Sequence, residues 1–110
     1  MATYLVQASY TPEALKALIQ NPQNRSEVAR KLAEGLGGKM IGYWLAFGDY
    51  DFAAICEVPD HTSALAASMV IGASGSFRNV KTTPLVALED GVEAMKKAAT
   101  VAYKAVVAKE

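Results

Sequence analysis

The chain has 110 residues, 52% of them hydrophobic, and its 11 basic and 11 acidic side chains give a formal net charge of zero. This length fits one domain with a single modest core. The basic residues are scattered along the sequence, which argues against the concentrated positive field that nucleic acids or anionic membranes require. A neutral surface gives little repulsion between copies and therefore favours association.

The cysteine content and the N-terminus indicate a cellular compartment. Cys56 is the only cysteine, so an internal disulfide is excluded, and in a buried strand we expect it to act as a small apolar side chain. The first residues show no basic segment followed by an apolar one, and no apolar run reaches the roughly 18 residues that span a bilayer. We therefore predict a soluble, cytoplasmic protein.

The first 38 residues predict a strand and two helical pieces. Residues 3–10 alternate with a period of two, which is typical of a strand with one apolar face. Thr11 can cap a helix and Pro12 suits its first position. Asn21-Pro22 interrupts this helix and could equally start the second piece. The second piece has an apolar stripe spaced four residues apart, formed by Val28, Leu32 and Leu36. Glycines at positions 35, 37 and 38 end it.

The segment from Gly38 to Val58 predicts a β-hairpin, around which we expect the rest of the chain to be organised. Two aromatic and aliphatic strands flank the turn Gly48-Asp49-Tyr50-Asp51. Gly48 can take a positive φ, and the two carboxylates can accept backbone hydrogen bonds in turns. The functional alternative is an acid/base pair, because close like charges raise the pKa of one carboxyl group.

The remaining elements complete the predicted order of strand, helix, strand, strand, helix, strand. Asp60 is placed to cap a helix that contains Leu65 and Met69, and residues 72–76 close it. An extended run from Phe77 follows, in which Pro84 predicts an edge strand or one with a kink. This order predicts an α+β, ferredoxin-like βαββαβ fold, with a four-stranded antiparallel sheet and helices on one face.

The hairpin is apolar on both sides, although its own helices can cover only one. Strict alternation places Tyr43, Leu45 and Phe47 on one side, and Met40, Trp44 and Ala46 on the other. A strand that faces water on one side should alternate apolar with polar residues. Exposing such side chains forgoes roughly 1.5–3 kcal/mol for each large one. We therefore predict a second cover, most simply another copy of the same sheet.

The last residues predict an extra amphipathic C-terminal helix, so that the chain divides into a domain of residues 1–88 and an appended helix of residues 89–110. Asp90 and Glu93 resemble a capping box. An apolar stripe follows, consisting of Val92, Met95, Ala99, Ala102, Tyr103 and Val106. This helix could close over its own sheet, pack beside the other helices or reach a neighbouring copy.

Several short motifs resemble the GYD-domain family of small bacterial and archaeal proteins, over roughly residues 3 to 88. The matching segments are Tyr4, Ser9-Tyr10-Thr11, Gly37-Gly38, Gly48-Asp49-Tyr50-Asp51, Pro59 and Arg78 to Leu85. The resemblance implies a ferredoxin-like subunit of the dimeric α/β-barrel superfamily, and it implies no particular reaction. The first helix, residues 12–16, departs from the family's more polar, glycine-containing stretch.

The sequence contains few residues arranged for chemistry. No pattern such as Cys-x-x-Cys or His-Glu-x-x-His provides metal-ligand spacing, so we predict neither a metal nor a cofactor. His61 begins a predicted helix, where it is an exposed residue, a general base or a haem ligand. The candidates for proton transfer are His61, Asp51, Tyr50 and Tyr43, and those for ligand binding are Gln7, Ser9, Asp49 and Arg78.

Two functions from different classes fit this sequence. The first is a homo-oligomeric module for assembly or for binding a small apolar ligand, with the C-terminal helix as a further contact to partners. The alternative is a small cofactor-independent enzyme, a monooxygenase or isomerase that acts on an apolar cyclic substrate, by analogy with related barrels.

Overall fold

A computed structural model describes residues 1–109 of the chain. It contains four strands and four helices within those residues. In chain order they are β1 (Ala2–Tyr10), α1 (Pro12–Gln20), α2 (Ser26–Gly35), β2 (Lys39–Leu45), β3 (Phe52–Val58), α3 (His61–Ala73), β4 (Phe77–Leu85) and α4 (Leu88–Ala98). None of these helices is both long enough and apolar enough to cross a bilayer.

The four strands form one antiparallel sheet in the order β2-β3-β1-β4. The first and third strands along the chain therefore lie in the middle, and the two strands of the hairpin are neighbours at one side. This is the predicted ferredoxin-like α+β arrangement. β4 is an edge strand, as Pro84 indicated, because an edge position tolerates a residue without a backbone N–H.

Two of the predicted helix starts are confirmed by hydrogen bonds. The Thr11 hydroxyl accepts from the Ala14 N–H at 3.2 Å, and the Asp60 carboxylate accepts from the Ser63 N–H at 2.9 Å. The third helix start, that of α2, falls later than Pro22. Arg25 is its N-cap residue and makes no side-chain cap bond.

The hairpin loop, residues 46–51, is held against the central strand. Gly48 has a φ of 124°, as predicted, which a residue with a Cβ rarely adopts. The Asp51 carboxylate accepts from the Tyr10 N–H at 2.8 Å, and the Asp51 N–H donates to the Ala8 carbonyl at 2.9 Å. The Ser9 hydroxyl also donates to the Asp49 carbonyl at 3.2 Å. The Asp51 carboxylate thus anchors the loop to a distant strand rather than closing a local turn.

A β-bulge in β2 changes which face of the sheet some of its side chains occupy. The register of β2 against β3 shifts between Met40 and Gly42, and the extra residue reverses the alternation at that point. Met40 therefore lies on the same side as Tyr43, so its predicted place beside Trp44 was wrong. Phe47 lies beyond the end of the strand, in the loop, and is 99% exposed.

The two faces of the sheet have different surroundings. One face, called the helix face, carries α2 and α3 and holds the core. Its buried side chains are Tyr4, Val6, Ala8, Phe52, Ala54 and Val58. The other face, called the open face, is the one that points away from α2 and α3. Strand register places Leu5, Gln7, Trp44, Ala53, Ile55 and Thr83 on it.

The C-terminal helix is shorter than predicted and has no buried residue. It begins at Leu88, after an N-cap Ala87 that makes no side-chain bond, so the expected capping box does not form. Glu93 instead pairs with Lys96 at 3.2 Å. The helix ends at Ala98, and no regular structure is assigned to residues 99–109. Three valines in residues 99–109 lower helix propensity although four alanines raise it. A helix without a packing surface gains little stability, so the segment stays irregular.

Candidate binding cleft and open face

An apolar cleft of about 250 Å³ lies between α2, α3 and the helix face of the sheet. Small side chains create it, because Ala29 and Ala33 on α2 and Ala67 on α3 line the space and cannot fill it. The strands supply the floor, which consists of Val6, Met40, Tyr43, Phe52, Ala54, Cys56 and Val58. The cleft is therefore a gap in the core between the two helices and the sheet.

The cleft has a polar end and an apolar end. Arg25 lies at the start of α2 and Leu36 directly follows its last residue, so the two are separated by about 16 Å along the helix axis. Arg25 shares its end with Tyr43 and with Ser74 and Ser76, which follow α3. Side chains without charge surround Leu36, namely Met40, Cys56 and Val58. This segregation suits a ligand with one polar end.

Stacked aromatic rings form a rigid wall at the polar end. Tyr43 and Phe52 lie parallel, with ring centroids 5.2 Å apart and an interplanar angle of 2°. Phe77 meets Phe52 edge-on at 5.2 Å and stacks on Tyr10 at 5.0 Å. The Tyr10 and Tyr43 hydroxyls are 3.4 Å apart, a long hydrogen bond. The phenol of Tyr43 is thus fixed in position but only weakly engaged.

Burial raises the pKa values of two titrating groups in the cleft. It raises the pKa of the Tyr43 phenol far above its usual value; the contact with Tyr10 adds to this shift, and the positive charge of Arg25 opposes it. Burial also raises the pKa of the Cys56 thiol. Both groups therefore stay protonated at neutral pH, so Tyr43 is a hydrogen-bond donor and Cys56 is a weak nucleophile.

Arg25 has no acidic partner within residues 1–109. Its guanidinium donates to the Gln23 amide oxygen at 3.2 Å, and the ion pairs of the described chain involve other cations. Arg30, one helical turn further along, is bound to both Glu27 and Glu34. The charge of Arg25 is therefore available at the mouth of the cleft.

The predicted catalytic residues lie in three separate places. Tyr43 lines the cleft. Asp51 and Tyr50 belong to the hairpin loop, where the Asp51 carboxylate is engaged by the Tyr10 N–H. His61 begins α3, and its Nδ1 lies 2.5 Å from the hydroxyl of Tyr4, away from the cleft lining. The structure does not bring these four side chains together around one space.

The predicted ligand-binding residues cluster outside the cleft. Gln7 is on the open face, and the buried Ser9 is bonded to the Asp49 carbonyl under the hairpin loop. Arg78 is exposed and lies opposite Ser9 across the β1–β4 pair. Ser9, Asp49 and Arg78 are therefore neighbours at the loop end of the sheet. Among the residues that line the cleft, only Tyr43 was predicted as a site residue.

Four antiparallel strands in the order β2-β3-β1-β4, with α2 and α3 on one face, place the chain in the ferredoxin-like α+β class. Within that class, the family model of the GYD domain matches residues 4–99, so the chain belongs to the GYD domain family. The match extends into α4, which the sequence resemblance had left outside.

The chain is similar to a relative in the bacterium Thermus thermophilus. The two are 28% identical over 88 residues, which cover 80% of this chain and 90% of the relative. That protein is named "glutamine synthetase and cystathionine beta-lyase binding protein". No solved structure matched this chain significantly.

Proposed function

We propose that this protein is a cytoplasmic, non-catalytic assembly module that pairs with a second copy through the open face and uses α4 to hold other proteins. The open face carries the proposal, because it points away from α2 and α3 and has an apolar centre in which the Trp44 side chain is 53% exposed. A protein of this kind acts by bringing partners together, so it needs complementary surfaces and no reactive group.

The composition of the open face supports a second copy as its occupant. Leu5 and Ile55 are register partners at its centre, and the Trp44 ring lies over Gly42 beside them. Lys39 and Glu57 face each other across the strands, so their charges compensate, and Lys81, the register partner of Gln7, adds one positive charge near the opposite margin. An apolar centre with polar margins is compatible with an identical surface placed against it.

The open face is smaller than a typical stable interface, so we expect a reversible pair. Four strands of seven to nine residues span about 20 Å by 25 Å, a flat area of roughly 500 Å². A stable interface usually buries about 800 Å² per partner. The apolar stripe of α4, with Val92 at 47% and Met95 at 70% exposure, lies outside this area and is available to other proteins.

The relative and the placement of the candidate residues both favour binding over catalysis. The Thermus protein is named for binding two enzymes, which supports an enzyme such as glutamine synthetase as the partner of this chain. The alternative, a cofactor-independent enzyme, needs proton-transfer groups around one substrate. His61, Asp51 and Tyr43 are separated in the structure.

Sedimentation velocity of the full chain tests the pairing of copies. We expect a dimer at micromolar concentration, and we expect Ile55→Glu to convert it to a monomer, because a charge would be buried at the centre of the face. Ile19→Glu is the matched control, since Ile19 is an exposed apolar residue of α1. A wild-type monomer, or a dimer that Ile55→Glu leaves intact, would overturn the pairing.

Interferometry with immobilised glutamine synthetase from the same organism tests the docking of partners. We expect the full chain to bind, and the double variant Val92→Glu, Met95→Glu to lose at least about tenfold in affinity because the α4 stripe becomes charged. Leu15→Glu on α1 provides the control. Equal binding of the wild type and the α4 variant would contradict a docking role for this helix.

A further inference from the structure

We infer that the cleft between α2, α3 and the helix face binds a small carboxylic acid with an apolar body, its carboxylate at Arg25 and its chain directed toward Cys56. The site is distinct from the surfaces proposed for assembly, because it lies on the other face of the sheet. It would give an assembly module a means to sense a metabolite.

The length of the cleft sets the size of the ligand. Arg25 and Leu36 mark its two ends, about 16 Å apart along the α2 axis. Acetate would leave most of the apolar floor between them uncovered. An acid with a chain of the length of octanoate reaches from Arg25 into that floor.

The lining sets the chemistry of the body of the ligand. The surfaces around Ala33, Cys56 and Val58 are apolar, so a hydrocarbon chain placed there leaves no buried polar group of the protein unsatisfied. Each methylene that moves from water into such a site contributes roughly 0.8 kcal/mol. A polar body, such as a sugar, would lose its hydrogen bonds to water without replacement.

The polar end sets the chemistry of the head of the ligand. Among residues 1–109, Arg25 has no acidic partner and is the only cation that lines the cleft. A single guanidinium matches a singly charged carboxylate and would leave a phosphate dianion half compensated. The protonated phenol of Tyr43, whose bond to Tyr10 is long, can donate a second hydrogen bond to the same carboxylate.

Two side chains on the floor of the cleft make occupancy directly measurable. Met40 lines the cleft, whereas Met1, Met69 and Met95 do not, so a methyl spectrum of methionine-labelled protein contains its own references. Cys56, the only thiol of the chain, also lines the cleft, and its alkylation rate reports whether reagent can reach it. Both probes are used on the full chain with octanoate as the ligand.

We expect octanoate to shift the Met40 methyl signal in a saturable manner and to slow the alkylation of Cys56. Octan-1-ol, with the same chain and no charge, should bind about tenfold more weakly. Arg25→Gln should remove this tenfold preference while octan-1-ol binding stays unchanged. Arg78→Gln, an exposed arginine of β4 outside the cleft, is the matched control and should keep the preference.

Three results would contradict the binding of a carboxylic acid in this cleft. The inference is overturned if millimolar octanoate moves neither probe, if it moves Met69 and Met95 as much as Met40, or if octan-1-ol binds as tightly as octanoate to both wild type and Arg25→Gln. Sedimentation velocity on the same samples measures whether the protein is a monomer or a dimer. Ligand binding in the cleft is therefore judged independently of the pairing of copies.

Discussion

The two faces of the sheet are built from the same four strands and have opposite environments. On the helix face, Phe52 is 3% and Val58 is 1% exposed, whereas Trp44 on the open face is 53% exposed. Neighbouring residues of β2 and β3 therefore differ in burial with the face on which they lie, and the edge position of β2 adds to the exposure of Trp44. The comparison teaches that apolar strand residues identify the sheet faces that need to be buried. Whether helices of the same chain or a partner molecule bury them depends on the rest of the structure.

Paired substitutions on the two faces give the largest expected effect. Phe52→Ala removes a ring that contacts Tyr43, Tyr10 and Phe77, and we expect the free energy of unfolding to fall by about 3–5 kcal/mol. Trp44→Ala should lower it by only about 1–2 kcal/mol in the monomer, because half of the ring is already in water.

Urea unfolding at concentrations that keep the chain monomeric measures both values, and sedimentation at higher concentration measures association. Trp44→Ala should weaken association more than it weakens the monomer. Equal destabilisation by the two substitutions in the monomer would show that the open face is covered within its own chain.

A glycine at the junction of α2 and β2 gives the next largest effect. A Cβ on Gly38 would lie 2.1 Å from the Glu57 carbonyl oxygen, so Gly38→Ala must push β2 away from β3. We expect a loss of about 1–3 kcal/mol in the free energy of unfolding. Gly35→Ala is the matched control, because nothing lies within 4 Å of its added Cβ, and it should be neutral or stabilising.

Hydrogen exchange of the β2 amides locates the effect. Faster exchange in β2, with unchanged exchange in β1, is expected for Gly38→Ala. Uniform acceleration through the sheet would contradict a local displacement of the hairpin.

The smallest expected effect is a pH dependence at the start of α3. The Ser63 backbone N–H lowers the pKa of the Asp60 carboxyl, whose ionised form caps the helix. A pKa that is lower in the folded chain stabilises the fold above the usual carboxyl pKa, and this contribution disappears as the pH falls through the lowered value. The stability advantage of the wild type over Asp60→Asn should therefore shrink as the pH drops from neutral to about 3.

Urea midpoints at a series of pH values measure this advantage. Thr11→Ala is a suitable control, because the Thr11 cap is a hydroxyl that does not titrate in this range. A constant difference between wild type and Asp60→Asn would show that the carboxylate charge contributes nothing to the cap.

Local signals predicted most of the fold. Thr11 and Asp60 both cap helices as expected, since a cap depends on a few adjacent residues. The β-bulge at Met40 was missed, because an extra residue in a strand leaves no mark in a run of apolar side chains. The end of α4 was also missed, because its length depends on packing rather than on its apolar pattern.

The cleft was not predictable from motifs, although its cause was present in the sequence. Alanines occupy positions 29 and 33 of α2 and 67 of α3, and only the structure shows that they leave a space. Arg25 precedes a helix in a polar segment, where an exposed arginine is ordinary. Its significance depends on the absence of an acidic neighbour within residues 1–109, which is a property of three-dimensional placement.

The irregular outer strands limit how molecules of this protein can join. β2 is broken by its bulge, and β4 contains Pro84 and a left-handed Asn79 with a φ of 54°. Neither margin presents the uninterrupted row of donors and acceptors on which a further strand would add. Edge-to-edge addition of strands into extended ribbons is thus disfavoured at both sides of the sheet. Contact through the open face, which closes after two copies, remains possible.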